Sequence, residues 1–499
     1  MEHFLDSLIQ ALSLSNLGLS LFGVVFGLIL GIIPGLTATL AVILLLPVTY
    51  GMPPGNGMTL LLGAYVGGIS GGCVSAVLLG MPGTPSSITT VFDGVPLARQ
   101  GKAGKALGVC AVSNLVGTLF SWIVLLLLAP QLARIATRFN PLDLTAVLIF
   151  GLTTAISLSG ESLTKGLVSG AFGLLACTVG TDPLHGSARL TLGLESLQSG
   201  ISAIPAMIGL FVVAEIFSNL ASPPPVVDKL APFRQSFLTL REWKDSAVNF
   251  LRSGAIGAAI GIIPGVGGVL ANFVSYDQAK KASREPETFG KGNIQGLISS
   301  ETANNAVIGG ALIPLLTLGI PGDTVTAALM GGLQLHGLDP GPLLFRDHPD
   351  IIYTVYASFF VAAVFMFLTM AVIGARCFPL ILRIPRVYVL PVVLVACIAG
   401  CYNINTSMID VWVALGFGVI GYFFHRHGYP TTPAVIGLIL GSLIESNLRK
   451  ALLETGSSLL PFFTTPTPAF FLLLAALSVG FSLWQGKKSR AAGKNRTKI

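Results

Sequence analysis

The chain has 499 residues, 53% of them hydrophobic and 10% charged, with a mean hydropathy of +0.80. A water-soluble domain carries about 25% charged residues, so this composition excludes one and specifies an integral membrane protein. The net charge of +7 does not point to nucleic acid, because Lys487, Lys488, Arg490, Lys494, Arg496 and Lys498 gather in one C-terminal tail.

Along the chain, Met1–Asp6 has no basic run, so no cleaved signal peptide is expected. Residues 4–17 read as a short amphipathic helix on the membrane surface, and the N-terminal amphipathic segment is bounded at 1–16. Apolar segments follow near 17–50, 57–80, 106–129, 142–158, 163–180 and 201–220. A polar linker at 221–250 opens with Ser222-Pro223-Pro224-Pro225 and carries Lys229, Arg234, Arg241 and Lys244. Further apolar segments lie near 251–275, 294–318, 352–376, 388–402, 408–424, 431–448 and 466–485. A full span needs about 20 apolar residues, so the shorter segments predict tilted or partial spans.

The segment order repeats across the linker. Gly31-Ile32-Ile33-Pro34-Gly35 recurs as Gly261-Ile262-Ile263-Pro264-Gly265, a shift of 230. Leu79-Gly80-Met81-Pro82-Gly83 recurs as Leu318-Gly319-Ile320-Pro321-Gly322, a shift of 239. The run Pro205–Leu220 matches Pro433–Leu448 at a shift of 228. Apolar composition inflates matches, but it does not put Pro, Gly, Ser and Asn in register. The chain therefore divides into a first repeat at 17–220, a second at 251–448, an additional span at 449–485 and a basic tail at 486–499. Pro and Gly break helices, and a break in lipid survives only where protein or a wet cavity satisfies the freed backbone. Matching breaks in two halves point to a transporter's binding site. The fold expected is an all-α polytopic membrane protein with two inverted structural repeats, discontinuous helices and re-entrant hairpins.

Charge supplies the sign of the inversion. Arg99, Lys102 and Lys105 against Asp93 read as cytoplasmic, whereas Arg346 against Asp339, Asp347 and Asp350 suits the other side. Arg376, Arg383 and Arg386 return to the cytoplasm, and span counting leaves the tail there too. Arg134 and Arg138 fall outside in this scheme, against the rule.

Three clusters carry candidate chemistry. In Pro82-Gly83-Thr84-Pro85-Ser86-Ser87-Ile88-Thr89-Thr90, Thr84 suits an N-cap and Pro85 the first helical position. The tip of that half-helix attracts anions, and the hydroxyls of Ser86, Ser87, Thr89 and Thr90 add donors; a plain turn with self-bonded hydroxyls is the competing reading. In Pro321-Gly322-Asp323-Thr324, Asp323 stands where Thr84 stands in the first repeat. It serves as a cap, as a coupling-ion site, or as both. In Ser299-Ser300-Glu301-Thr302-Ala303-Asn304-Asn305, oxygen-rich side chains suit a hard cation such as Na⁺, or alternatively cap a helix start; Asn272 is a weaker candidate. The carbonyls freed around Gly35 and Gly265 can join such a site. Substrate contacts are thus assigned to Gly83, Thr84, Ser86, Ser87, Thr89, Gly322 and Thr324, and cation coupling to Gly35, Gly265, Glu301, Asn304, Asn305 and Asp323.

Other features read as structural. Cys73, Cys110, Cys177, Cys377, Cys397 and Cys401 lie in apolar stretches without a CxxC pair and are read as packing residues rather than a metal site. Glu161 and Lys165 are spaced as a helical pair, and His425 and His427 flank Arg426 in an expected cytoplasmic loop. No P-loop, HExxH or GxSxG is present, so neither ATP hydrolysis nor another enzymatic activity is expected, and no cofactor beyond Na⁺ or H⁺ as coupling ion.

On these motifs the chain resembles the large membrane subunit of the tripartite tricarboxylate transporters, the TctA family. The likeness runs through GIIPGLTATLAVILLLPVTYGM at 31–52, the run from Gly67 through GMPGTPSSITTVFDG to Gly104, GIIPGVGG at 261–268, and SSETANNAVIGG into LGIPGDT at 299–324. It implies a multi-pass protein of the bacterial inner membrane, importing citrate-like or related carboxylates by symport on an ion gradient. It also implies two partners: a periplasmic solute-binding protein and a small membrane subunit of about four spans of roughly 20 residues each. A carboxylate channel or passive permease is the alternative.

Overall fold

The computed structural model describes residues 9, 12–158, 162–182, 185–220, 234–384 and 386–496. Most of the N-terminal segment, residues 221–233 of the linker with Lys229, Glu161, and residues 497–499 with Lys498 lie outside this description. Among the described residues, nine helices are long and apolar enough to cross a membrane, and the only strands are the short antiparallel pair Gly180–Thr181 and Ala188–Arg189.

The first half runs α1 (Leu14–Ile32), α2 (Ala38–Thr49), α3 (Pro54–Leu79), α4 (Ile88–Leu97), α5 (Ala103–Ala136), α6 (Pro141–Leu158), α7 (Leu163–Cys177) and α8 (Ala203–Asn219). The second runs α9 (Leu240–Gly261), α10 (Gly267–Ala282), α11 (Ile294–Leu318), α12 (Thr324–Leu335), α13 (Pro349–Ile373), α14 (Arg386–Asn405), α15 (Met408–His427) and α16 (Thr431–Glu454), with α17 (Pro466–Arg496) appended. The second half also holds the short helices Pro342–Asp347 and Gly374–Ile381. Helix α9 starts inside the stretch read as linker, because Thr239 and Glu242 close a capping box there.

The apolar segment at 17–50 is two helices, not one. The chain leaves helical geometry between Ile32 and Ala38, and again between Gly261 and Gly267. The paired breaks at Pro82-Gly83 and Pro321-Gly322 fall after Gly80 and Gly319, the C-caps of α3 and α11. Both glycines are left-handed with φ of 69°, a conformation that costs other residues dearly. The 12 residues of α2 and of α12 reach only about 18 Å each, short of a hydrocarbon core of roughly 30 Å. They are half-spans whose N-termini end inside the protein.

Helices α3 and α11 form the centre. Helix α11 is buried from Gly296 to Thr317 without a gap. Helix α1 packs along α3, and α9 along α11, with α5 and α13 closing the sides. The α1–α3 seam is close because Gly23, Gly27 and Gly31 lie on the backbone of Leu60, Ala64 and Gly68. Helices α6, α7, α8, α15, α16 and α17 pack as a second group outside this centre. There Arg189 and Arg449 clamp Asp182 and Glu445, tying the strand pair to α16. Lys165 donates to the carbonyl of His427, and His425, Arg426 and His427 form the last turn of α15 rather than a loop. Cationic groups at a helix C-terminus match its dipole.

Candidate functional site

The four breaks converge. The Gly31 carbonyl lies against Gly83, and a Cβ placed on Gly83 would stand 2.1 Å from it. The Gly265 N–H donates to the Gly322 carbonyl at 2.8 Å. Across the halves, Thr39 at the tip of α2 meets Thr324 at the tip of α12, with 2.8 Å between hydroxyls. Its counterpart is the tip of α10, where Gly268 sits against Ser86 of the first hairpin.

Asp323 caps α12. Its Oδ1 accepts from the Thr326 N–H at 2.7 Å, and Thr326 Oγ1 accepts from the Asp323 N–H at 2.8 Å. Its Oδ2 accepts from the Tyr65 hydroxyl of α3 at 2.7 Å. Thr84, its counterpart, does not cap by its side chain. Instead its hydroxyl lies 3.1 Å from that of Ser86 and 2.9 Å from that of Ser87, at the start of a 3₁₀ turn leading into α4. The shift of 239 that aligns Thr84 with Asp323 also aligns Tyr65 with Asn304. The sequence thus held the signal for Tyr65, which the motif reading passed over.

The cluster 299–305 lies within α11, whose cap is Asn293, so these residues do not start a helix. Adjacent residues on it face different neighbours. Asn304 turns to the first hairpin: a methyl group on Gly268 would stand 3.1 Å from Asn304 Oδ1 and 3.0 Å from Ser86 Cβ. Asn304 is 1% exposed, and neither its Oδ1 nor its Nδ2 has a hydrogen-bond partner. Asn272 of α10 donates to the Ser86 carbonyl, and its own Oδ1 is unpartnered; so are Thr89 Oγ1 and Ser75 Oγ. A buried polar atom without a partner costs about 1–3 kcal/mol. Several at one place, lined by helix tips, describe a cradle for a polar ligand.

Glu301 and Asn305 turn the other way, toward α3, α4 and α5. Thr90 donates to Glu301 Oε1, and the amide of Asn114 adjoins Oε2. Asn305 Nδ2 donates to Asn114 Oδ1 at 2.8 Å, and its Oδ1 accepts from Ser70 at 2.7 Å. Cys73 and Cys110 bring thiols within 4.8 Å of the Glu301 carboxylate and of each other. Sequence spacing gave no hint of this grouping, because its members come from four helices. Asp93, counted above as a loop charge, is buried on α4. It accepts from the N–H groups of Gly290, Gly292 and Asn293 and from the Tyr276 hydroxyl.

Of the assigned residues, Gly83, Thr84, Ser86, Ser87, Thr89, Asn304, Gly265, Gly322, Asp323 and Thr324 therefore border the convergence of tips, as does the break that holds Gly35. Glu301 and Asn305 lie one helix face away. Two cavities, of about 350 Å³ at Tyr50, Gln334 and Asn405 and of about 380 Å³ at Asn56, His336 and Asp350, flank the opposite ends of α2 and α12.

Comparison with known proteins places the chain in a family. The model of the tripartite tricarboxylate transporter TctA family matches residues 17–436. An uncharacterized 52.8 kDa protein in the TAR-I ttuC' 3' region of Agrobacterium vitis is 34% identical over 455 residues, 91% of this chain and 90% of that one. An uncharacterized protein in the TAR-II ttuC' 3' region of the same organism is 34% identical over 235 residues, 47% of this chain and 96% of that one. No solved structure matches the chain. The broken apolar helices and this family match together make the chain a multi-pass membrane protein that belongs to the tripartite tricarboxylate transporter TctA family, a component of a transporter with other subunits.

Proposed function

We propose that the chain is the large transmembrane subunit of a binding-protein-dependent secondary transporter of the bacterial inner membrane. It imports tricarboxylates or related carboxylates by symport with a cation. A periplasmic solute-binding protein delivers the substrate, and a small membrane subunit of about four spans of roughly 20 residues completes the complex. The two halves are inverted repeats, and the site lies between them near the bilayer midplane. The observation that carries this reading is the pair of buried amides of Asn304 and Asn272 beside the Ser86 tip, with Asn272 Oδ1 and both polar atoms of Asn304 unpartnered. A helix N-terminus with neutral donors suits a carboxylate. The orphaned oxygens of Asn304 and Asn272 suit a hard cation bound beside it.

Uptake of labelled citrate by proteoliposomes holding all three components tests the reading. Accumulation is expected only with an imposed Na⁺ or H⁺ gradient. Gradient-independent equilibration, or ion conductance far above carrier rates, would favour a passive permease or channel.

Two variants probe the tips. Asn304→Leu removes the unpartnered amide, so the folded state is expected to keep its thermal midpoint or gain on it. The midpoint shift that carboxylates produce in the parent protein is expected to vanish. Lost stability with retained ligand response would make Asn304 a packing residue. Asp323→Asn keeps an equally good cap, so stability should change by less than ~1 kcal/mol. Coupled uptake is expected to fall at least ~10-fold. An unchanged rate and ion dependence would leave Asp323 as a cap alone.

A further inference from the structure

Glu301 is 0% exposed, in the N-terminal third of α11, which is buried from Gly296 to Thr317. A bare carboxylate at such a place is costly, so it pairs with a cation, binds a metal, or takes up a proton. The groups around it speak against a paired side-chain cation and against Na⁺. Helix α4 presents the Thr90 hydroxyl, which donates to Oε1. Asp93, one turn further along α4, is engaged by Tyr276 of α10 and by the Gly290–Asn293 backbone. Helix α3 presents Cys73, and α5 presents Cys110 and Asn114. Helix α13 reaches Asn114 with the Met370 sulfur, and α9 holds Arg252 against Asn249 rather than against Glu301. No lysine or arginine is paired with Glu301 among the described residues. Two thiols and two hydrogen-bond donors are a poor shell for Na⁺, which asks for oxygen ligands.

The Asn114 amide can be placed in either of two orientations, and each matches one charge state of Glu301. With Oδ1 toward Glu301, it accepts from Asn305 Nδ2 at 2.8 Å and needs a second donor from Glu301 Oε2, which only a protonated carboxyl supplies. With the amide turned, Nδ2 donates to Oε2 at 2.8 Å and to the Cys110 carbonyl at 3.1 Å, which suits the carboxylate. That nitrogen also lies 2.8 Å from Asn305 Nδ2, so this orientation requires Asn305 to turn as well and give up its 3.1 Å bond to the Glu301 carbonyl. The same cage therefore satisfies Glu301 with and without its proton.

We propose that Glu301 is a proton-binding site of this protein, and that the Asn114–Asn305 amide pair reports its charge to α3, α5 and α11. One proton is gained at Oε2 and lost from it, and no other covalent bond changes. As a coupling role, this rests on the reading of the chain as a gradient-driven carrier, with H⁺ as the ion.

Infrared difference spectroscopy on the purified, reconstituted protein tests proton binding without any transport assay. The parent protein is expected to show the C=O band of a protonated carboxyl that bleaches as pH rises. Glu301→Gln should remove that band, and Glu301→Asp should shift its frequency. In proteoliposomes with all subunits, Glu301→Gln should lower pH-gradient-driven accumulation and substrate-linked proton entry at least ~10-fold. Glu301→Asp should restore part of the proton entry. A band absent from the parent at every pH, or present unchanged in Glu301→Gln, overturns the site. Unchanged proton entry in Glu301→Gln overturns its coupling role. If the parent complex moves no carboxylate, the carrier reading falls, and the infrared titration still decides whether Glu301 binds a proton.

Discussion

Gly83→Val is expected to give no monodisperse protein after detergent extraction, as read by size-exclusion chromatography. A Cβ at this position stands 2.1 Å from the Gly31 carbonyl oxygen, 2.7 Å from Ser75 Oγ and 2.9 Å from Gly72 Cα. Two of those neighbours are backbone and cannot rotate away. Nor can the Gly83 segment retreat, because its N–H donates to the Gly72 carbonyl. Gly31 is in turn pressed against Gly68, so a shift at one break propagates into the α1–α3 seam. Overpacking a well-filled core costs about 1–3 kcal/mol, and more where the obstruction is main chain. Gly18→Val is the control, since a Cβ on Gly18 meets nothing within 4 Å. It is expected to behave as the parent. If Gly83→Val also elutes as the parent and binds carboxylate, the two breaks are not packed as described.

Asp93→Ala is expected to lower stability by about 3–5 kcal/mol, and to open the 283–293 connection to protease. Oδ1 accepts from the N–H groups of Gly290, Gly292 and Asn293 at 2.9, 2.9 and 2.8 Å, and Oδ2 from the Tyr276 hydroxyl at 2.8 Å. Alanine strands all these donors at a site that is 0% exposed. Each orphaned donor costs about 1–3 kcal/mol, less where water enters. Asp93→Asn keeps one acceptor oxygen and should lose less. Thermal unfolding in detergent reads both. A loss below ~1 kcal/mol for the alanine variant would show that the loop holds itself without Asp93.

The sequence was most informative where local chemistry dictates local structure. Pro-Gly strings broke helices where they stood, and Asp323, directly after Gly322, became the cap that residue type and position called for. The alternative reading of the 299–305 cluster as caps of a helix start falls away, because α11 already runs through it from Asn293. Thr84 stands where a cap was expected, but its hydroxyl turned to Ser86 and Ser87 instead. Buried helices with apolar residues on every side leave little periodicity to read, so faces could not be assigned in advance.

What the amino-acid order alone determined is the membrane setting, the recurring Pro-Gly strings, and the four places where helices stop short. These follow from composition and from the backbone limits of Gly and Pro, which act within a few residues. What only the tertiary structure decided is which side chains meet. Successive residues on a helix point about 100° apart, so Asn304 reaches the Ser86 tip while Asn305 reaches Asn114 and Ser70. The partners of Glu301 come from three other helices, brought together by packing of segments up to more than two hundred residues apart. No spacing along a chain encodes such a meeting, because it depends on how whole helices rotate against one another.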